Sequence, residues 1–356
     1  MIIADTQVDK IKNIVELAVN APSGDNGQPW KFRIIKKSLE VILVSDADDS
    51  LFNFRETGSI FAHGALILNI EIISSTLGYE TTVEYFPNGE SNELTARIHF
   101  QSKKKVIEDP LFKSVKRRCT NRKFYSTKKL DGKHKETLEK VFSDDDNIDL
   151  HLLENLSENP NIIRILSFND RLLLENQKIH QKIFSIINWT NEEEKLKRKG
   201  LFVDAMELNP AQVAAFRNFS NWNSMRVLNK LGISKLIAKQ NQRLYLSSSA
   251  IGIVVINSDT RINFLNAGKT FQKLWLTATK IGLSIHPVTG IAYLINSVKA
   301  GNIKDFSDSD LELIREAEKQ INSSFNLMGQ TFAMIFRVGY SDAPSAKSAK
   351  LPPKFI

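Results

Sequence analysis

Residues 21–30 read Ala21-Pro22-Ser23-Gly24-Asp25-Asn26-Gly27-Gln28-Pro29-Trp30, and the rest of the chain is best read outward from this loop. Upstream, apolar residues at Val8, Ile11, Ile14, Val15, Leu17, Ala18 and Val19 keep helical spacing and stop at Asn20-Ala21-Pro22, so the loop ends a helix. Downstream, Lys31 to Lys37 and Leu39 to Ser45 are short alternating or apolar runs that predict strands. The loop itself offers a hydroxyl, amides and backbone groups, and Gly24 and Gly27 let a ligand approach the backbone closely. That chemistry suits a polar heterocycle or a sugar chain; an ordinary helix-to-strand turn uses the same residues.

Gly64 to Leu77 predicts a long apolar helix capped by Gly78, and Thr81 to Phe86 with Leu94 to Phe100 predicts a strand pair around Pro87-Asn88-Gly89. Beyond a lysine-rich connector come a helix near Lys133 to Phe142, a strand near Ile148 to Leu153 and helical segments from about Asn159 to Asn188. The polar region from about 190 to 242 holds Glu192-Glu193-Glu194, Lys195 to Lys199 and the aromatics Phe202, Phe216, Phe219 and Trp222. It reads equally as amphipathic helices on the core or as a lid over a site. Ala250 to Ile256 predicts a buried central strand, Gly268 to Gly282 a helix and Thr331 to Val338 a further strand. Gly64 to Gly78 and Gly268 to Gly282 are both fourteen-residue steps around an apolar helix, which suggests a fused duplication.

With 356 residues the chain has room for about two domains. Its 42% hydrophobic, 25% charged and 9% aromatic content is that of an ordered globular protein. No apolar run reaches the roughly 18 residues of a membrane helix, and the first residues lack the apolar region of a secretory signal, so a cytoplasmic protein without a membrane partner is expected. The single Cys119 has no partner for a disulfide or a cysteine metal site. His63, His99, His134, His151, His180 and His286 are scattered without ligand spacing, so no metal is expected. The net charge of +8 is diffuse and lacks an aromatic-interleaved basic motif, so no nucleic-acid partner is expected. No G-x-G-x-x-G, G-x-x-x-x-G-K-[ST], H-E-x-x-H or G-x-S-x-G occurs, which removes the usual dinucleotide-fold, P-loop, zincin and hydrolase readings.

One basic cluster is dense: Arg117-Arg118-Cys119-Thr120-Asn121-Arg122-Lys123-Phe124. Three arginines and a hydroxyl at this spacing can clamp a phosphate through bidentate bonds; a solvated basic patch has the same composition. Together with the loop, in which Pro22, Ser23, Asn26, Gln28, Pro29 and Trp30 fall on a P-S-x-x-N-x-Q-P-W pattern, this segment resembles the nitroreductase family of FMN-binding proteins. Cys119-Thr120 stands where that family's R-R-S-x-R-x-F segment has serine, with one extra residue before Arg122. Gly282-Leu283-Ser284 and His286-Pro287-Val288-Thr289-Gly290 are similar to the segment that approaches the flavin ring. Phe336-Arg337-Val338-Gly339-Tyr340 and the following Lys347 and Lys350 are similar to the closing strand and basic tail.

The resemblance implies an α+β, nitroreductase-like fold of two fused halves, each with a mostly antiparallel central sheet flanked by helices. The first half, 1–105, carries the loop; the second, 106–356, carries the arginine segment, the ring-contacting segment and the tail, with a lid-like insertion at about 190–242. Because the motifs are divided between the halves, the chain resembles the fused, pseudo-dimeric Acg-like subgroup with one complete site, as a monomer or homodimer. The implied cofactor is FMN, held by Pro22, Ser23, Gly24, Asn26, Gln28, Arg117, Arg118, Cys119, Thr120, Arg122, Pro287, Val288, Thr289, Gly290, Lys347 and Lys350, with NAD(P)H as electron donor. The chemistry lies on the flavin, so no catalytic side chain is assigned. The implied activity is reduction of a small-molecule nitroaromatic or quinone-like acceptor; the alternative is a lid-covered protein that stores or sequesters FMN.

Overall fold

The computed structural model describes residues 7–143 and 145–356; the reading of the first six residues lies outside them. Helix α1 (Gln7–Ala18) buries Ile11, Ile14, Val15 and Ala18, positions three and four apart that share one helical face. After the 21–30 loop come β1 (Trp30–Ile35), β2 (Ser38–Leu43), α2 (Thr57–Thr76), β3 (Tyr79–Tyr85) and β4 (Leu94–Ser102). These four strands form one sheet in the order β1-β2-β4-β3, antiparallel at every pairing. Helix α2 starts earlier than the apolar run predicts, and it is buried on nearly all sides. With the turn before it, Leu51–Thr76 is long and apolar enough to cross a membrane, but 89% of that window is buried within the protein.

The chain continues through α3 (Phe112–Arg117), α4 (Gly132–Glu139), β5 (Ile148–Leu153), α5 (Pro160–Glu175), α6 (Gln177–Ser185) and β6 (Ile187–Asn188). Then follow α7 (Asn191–Lys197), β7 (Leu201–Phe202), α8 (Pro210–Phe219), α9 (Trp222–Lys230) and α10 (Ile233–Leu246). The last elements are β8 (Ala250–Ile256), α11 (Arg261–Lys280), β9 (Ser284–Pro287), α12 (Gly290–Lys299), α13 (Asp308–Phe325) and β10 (Thr331–Gly339). The second sheet runs β5-β8-β10-β9, again antiparallel throughout. Strand for strand this repeats the first sheet, with β5, β8, α11, β9 and β10 in the places of β1, β2, α2, β3 and β4.

The repeat differs in one large respect. A tight turn joins β1 to β2, whereas residues 154–249 separate β5 from β8 and carry α5 to α10. This excursion begins well before the polar region that the sequence singles out, because α5 and α6 are apolar enough to pack on the second sheet. Ile162, Ile165, Leu166 and Leu172 of α5 join Ile251, Ile253 and Val255 of β8 in one cluster. Residues 184–233 build a small aromatic core of their own, in which Phe184, Ile187, Phe202 and Met225 meet Trp189, Phe216 and Trp222.

The two halves meet where α2 crosses α11. A Cβ on Gly64 would lie 1.9 Å from the Leu265 carbonyl oxygen, and a Cβ on Gly268 would lie 1.9 Å from that of Phe61. Each glycine therefore faces the carbonyl three residues before the other, the reciprocal pattern of a two-fold contact. At such a separation only a glycine lets two helix backbones touch. Around the crossing, Ala65, Leu66, Phe264, Leu265, Phe271 and Trp275 belong to a core shared by both sheets. The C-terminus closes the arrangement by running beside β1: Phe32 N donates to Lys354 O at 2.9 Å and Ile356 N to Phe32 O at 2.9 Å.

Gly64→Ala is expected to lower stability by about 3 kcal/mol, since the added methyl meets unyielding backbone. Gly132→Ala, whose added Cβ meets nothing within 4 Å, stays within about 0.5 kcal/mol of wild type. Urea unfolding of both variants checks this; an unchanged midpoint for Gly64→Ala contradicts the close crossing.

Candidate functional site

The 21–30 loop leaves α1 with Asp25, Asn26 and Gln28 at φ of 47°, 56° and 51°, a left-handed stretch that extended hydrogen bonding must hold in place. Gly27 N donates to Gly24 O at 2.8 Å and Gln28 N to Ser23 Oγ at 3.0 Å. His63, fully buried in α2, donates from Nε2 to Pro29 O at 2.8 Å and has Nδ1 2.7 Å from Thr95 Oγ1. Burial pushes this imidazole down to about 4, so at neutral pH it is an uncharged strut between loop and sheet.

The arginine segment is pinned from below by Arg337 of β10, a fully buried guanidinium. It donates to Asn121 O at 3.2 Å, Lys123 O at 2.8 Å and Leu244 O at 3.3 Å, and its Nε donates to His286 Nδ1 at 3.0 Å. The guanidinium also lies 4.0 Å from the centre of the Tyr125 ring, a favourable cation–π geometry. Asn121 adds bonds from Nδ2 to Ser284 Oγ and Asp342 O. Arg118 is thereby turned inward over Trp275 at 4.4 Å, donating to Asn20 O at 2.9 Å.

Loop, arginine segment, β9 end and C-terminal tail together enclose a cavity of about 380 Å³, a size typical of small-molecule and cofactor sites. Of the residues that the resemblance nominates, Pro22, Ser23, Gly24, Asn26, Arg118, Cys119, Thr120, Arg122, Pro287, Val288, Thr289, Gly290, Lys347 and Lys350 line it. Gln28 and Arg117 do not. Arg117 is exposed at the end of α3, because a short helix there turns Arg118 inward and its neighbour outward. Gln28 is buried behind the loop, donating to Arg198 O at 2.8 Å and accepting from Leu351 N at 2.8 Å. Asn26 reaches the tail as well, donating to Ala349 O at 2.9 Å and accepting from Lys350 Nζ at 2.8 Å.

Electrostatics single out one wall. Burial lowers Arg118 to about 10 and also lowers Arg122. Burial, then Arg118 and Lys116, push Lys347 down to about 8 even though its side chain keeps access to solvent. Burial, then Arg118 and Lys347, hold Lys350 well below the usual lysine range. Arg118, Lys347 and Lys350 crowd together here, while Arg122 lies toward Asp25 and Glu207, and Arg118 Nε has no hydrogen-bond partner. Such a cluster is costly without an anion. Nearby Asp25 does not supply the missing charge fully, because burial and then Asp48 raise it to about 6.

The structure adds residues that motif reading missed. Phe52, Phe61, Phe271, Trp275 and Tyr293 make an apolar wall, and Asn169, Asp170 and Tyr245 a polar one contributed by the 154–249 excursion. His286 also lines the cavity, kept neutral by burial and Arg337, well below the usual histidine range. The excursion covers the cavity through Leu201, Ala205 and Met206. It is tied down by Arg122 Nη1 to Ala205 O at 3.1 Å, Ala349 N to Glu194 Oε1 at 2.6 Å and Ser345 N to Glu207 Oε1 at 2.6 Å.

No protein-family model matches the chain. An uncharacterized protein of Mycobacterium tuberculosis is 23% identical over 280 residues, which are 78% of this chain and 38% of that protein. Another protein of the same organism, provisionally named the NAD(P)H nitroreductase acg, is 33% identical over 108 residues, 29% of this chain and 32% of its own length. The matches thus span about a third of the length of these relatives. A solved structure described as a nitroreductase with bound FMN from Desulfitobacterium hafniense aligns over 69% of this chain and 95% of its own, at 9% identity and a TM-score of 0.38. The chain resembles nitroreductases in sequence, in keeping with the motifs above.

Asp25 carries a testable pH signature. Its folded-state value near 6 lies above the unfolded 3.8, so the folded protein binds the extra proton and loses stability as pH rises between those values. Asp25→Asn therefore matches wild type below about pH 4 and becomes the more stable protein above about pH 6. Melting temperatures of the two ligand-free proteins across this range check the sign; a constant difference rules it out.

Proposed function

We propose that this chain is an FMN-dependent oxidoreductase of the nitroreductase type, taking electrons from NAD(P)H and passing them to a nitroaromatic or quinone-like acceptor. The observation that carries this reading is the convergence of Arg118, Arg122, Lys347 and Lys350 on the cavity that the 21–30 loop and Pro287 to Gly290 also line. An anionic phosphate would satisfy the unpartnered Arg118 Nε and relieve the mutual repulsion of Arg118, Lys347 and Lys350. The donor set thus fits the group.

FMN supplies the two-electron chemistry when bound. The protein's part is to hold, orient and shield. Arg118 and Arg122 grip phosphate oxygens with planar forks, while Lys347 and Lys350 act as point charges. Cys119 and Thr120 lie beside them, and Asn26 positions Lys350 by accepting from its ammonium. Ser23 and Gly24 face the polar part of the ligand. The first turn of α12 leaves backbone N–H groups of Thr289 to Ala292 without intrahelical acceptors, and these are the donors available beside a ring. Phe52, Phe61 and Tyr293 exclude water from the same space. Among the described residues this cavity draws on both halves, which supports a single FMN for each pseudo-dimeric chain.

A second reading is supported by the bonds that hold the 154–249 excursion over the cavity: a cover fastened to loop and tail favours storage or sequestration of FMN over turnover. The visible spectrum separates the two. After FMN loading, anaerobic addition of NADPH or NADH is expected to bleach the flavin within the mixing time of minutes or less. A flavin that bleaches with dithionite but with neither nucleotide supports storage, and a protein that takes up no FMN refutes both.

Arg122→Ala and Lys347→Ala are each expected to weaken FMN affinity about 10- to 100-fold, the worth of one charge-assisted bond. Arg117→Ala leaves it unchanged. Fluorescence titration measures all three, and equal losses across the three variants contradict the phosphate assignment. The expected stoichiometry is one flavin per chain.

A further inference from the structure

The polar wall of the cavity belongs to no motif. Asn169 and Asp170 are consecutive on α5, which the first half lacks, and Tyr245 comes from the end of α10; all three line the cavity. Asn169 sits against the start of α12: its Oδ1 would lie 2.1 Å from a Cβ on Gly290. That Oδ1 is buried and has no hydrogen-bond partner. Asp170 Oδ2 accepts from the Tyr245 hydroxyl at 3.4 Å, and Asn241 is its other polar neighbour. Cations are absent from the groups that act on Asp170, and burial raises it to about 6, so at neutral pH it is largely an ionised acceptor. Asn169 thus adjoins Gly290, the end of the Pro287 to Gly290 segment assigned above to the ring end of the site, which lines the same cavity.

An unpartnered buried acceptor on the cavity wall calls for a ligand that presents an N–H. The end of an asparagine side chain rotates readily, so its oxygen can turn toward such a ligand. We propose that Asn169 forms a subsite that reads the primary carboxamide of the nicotinamide electron donor by accepting from its amide N–H. The inference rests on the oxidoreductase reading above and names which residue of the excursion selects the donor. It also gives the cover a function: the element that encloses the cavity carries the recognition group.

Equilibrium binding of two oxidised dinucleotides to the FMN-loaded protein tests this without turnover. The probes are NADP+ and its 3-acetylpyridine analogue, in which a methyl ketone replaces the carboxamide and the N–H is lost, with NAD+ and its analogue run in parallel. Wild type is expected to prefer the carboxamide about five- to tenfold, the worth of one net hydrogen bond. Asn169→Ser removes that preference and leaves FMN affinity within twofold of wild type. A preference that survives Asn169→Ser, an absence of preference in wild type, or FMN uptake with no dinucleotide binding overturns the subsite. Failure of wild type to take up FMN instead removes the reading on which it rests, so the two failures are distinct.

Discussion

The site depends on two helix backbones in direct contact. Where α2 and α11 cross, Gly64 and Gly268 each sit under a carbonyl of the other helix, and this fixes how the two sheets lie relative to each other. The cavity takes walls from both helices: Gly58, Phe61 and Ala62 from α2, Phe271 and Trp275 from α11. Any side chain at the crossing would separate the helices and with them the loop on one side from the arginine segment on the other. A packing constraint far from any charge therefore sets the geometry of the charged groups.

Electrostatic cost is concentrated where the packing brings the halves together. Arg337, wholly buried, is satisfied by carbonyls, His286 and the Tyr125 ring, and it serves as a fixed post. Arg118, Arg122, Lys347 and Lys350 each donate to only one or two protein oxygens, and burial depresses all four. A structure that crowds Arg118, Lys347 and Lys350 on one wall of a cavity stores a preference for an anion. The stiffness of the loop, the buried neutral His63 and the tail bonds to Asn26 and Gln28 keep that arrangement from relaxing.

The repeat is unequal, and the inequality has consequences. In the first half the connection between paired strands is a turn; in the second it is the excursion that roofs the cavity. The position in the first half that matches Trp275 is Glu71, whose Oε1 accepts from Lys269 Nζ at 2.8 Å. An ion pair thus fills the place where the duplicated site would need an aromatic platform. One half supplies the loop and the other the cations, and the product is a single asymmetric site.

Local sequence determined a great deal here. Periodicity set α1, β5 and β8 within a residue or so, since their apolar spacing agrees with their burial. The P-S-x-x-N loop and Arg122 were visible because glycines, prolines and clustered arginines leave few other uses for themselves. The matched glycine steps marked the helices that cross. Which of two adjacent arginines faces inward was invisible, because it follows from where α3 ends against β9 and the tail. The limits of the excursion were hidden too, as α5 and α6 carry apolar faces like any core helix. Asn169, Asp170 and Tyr245 lie about 75 residues apart at most, and no local pattern joins them. Only the tertiary structure brings them to one wall, because the contacts that place them are made between helices rather than along the chain.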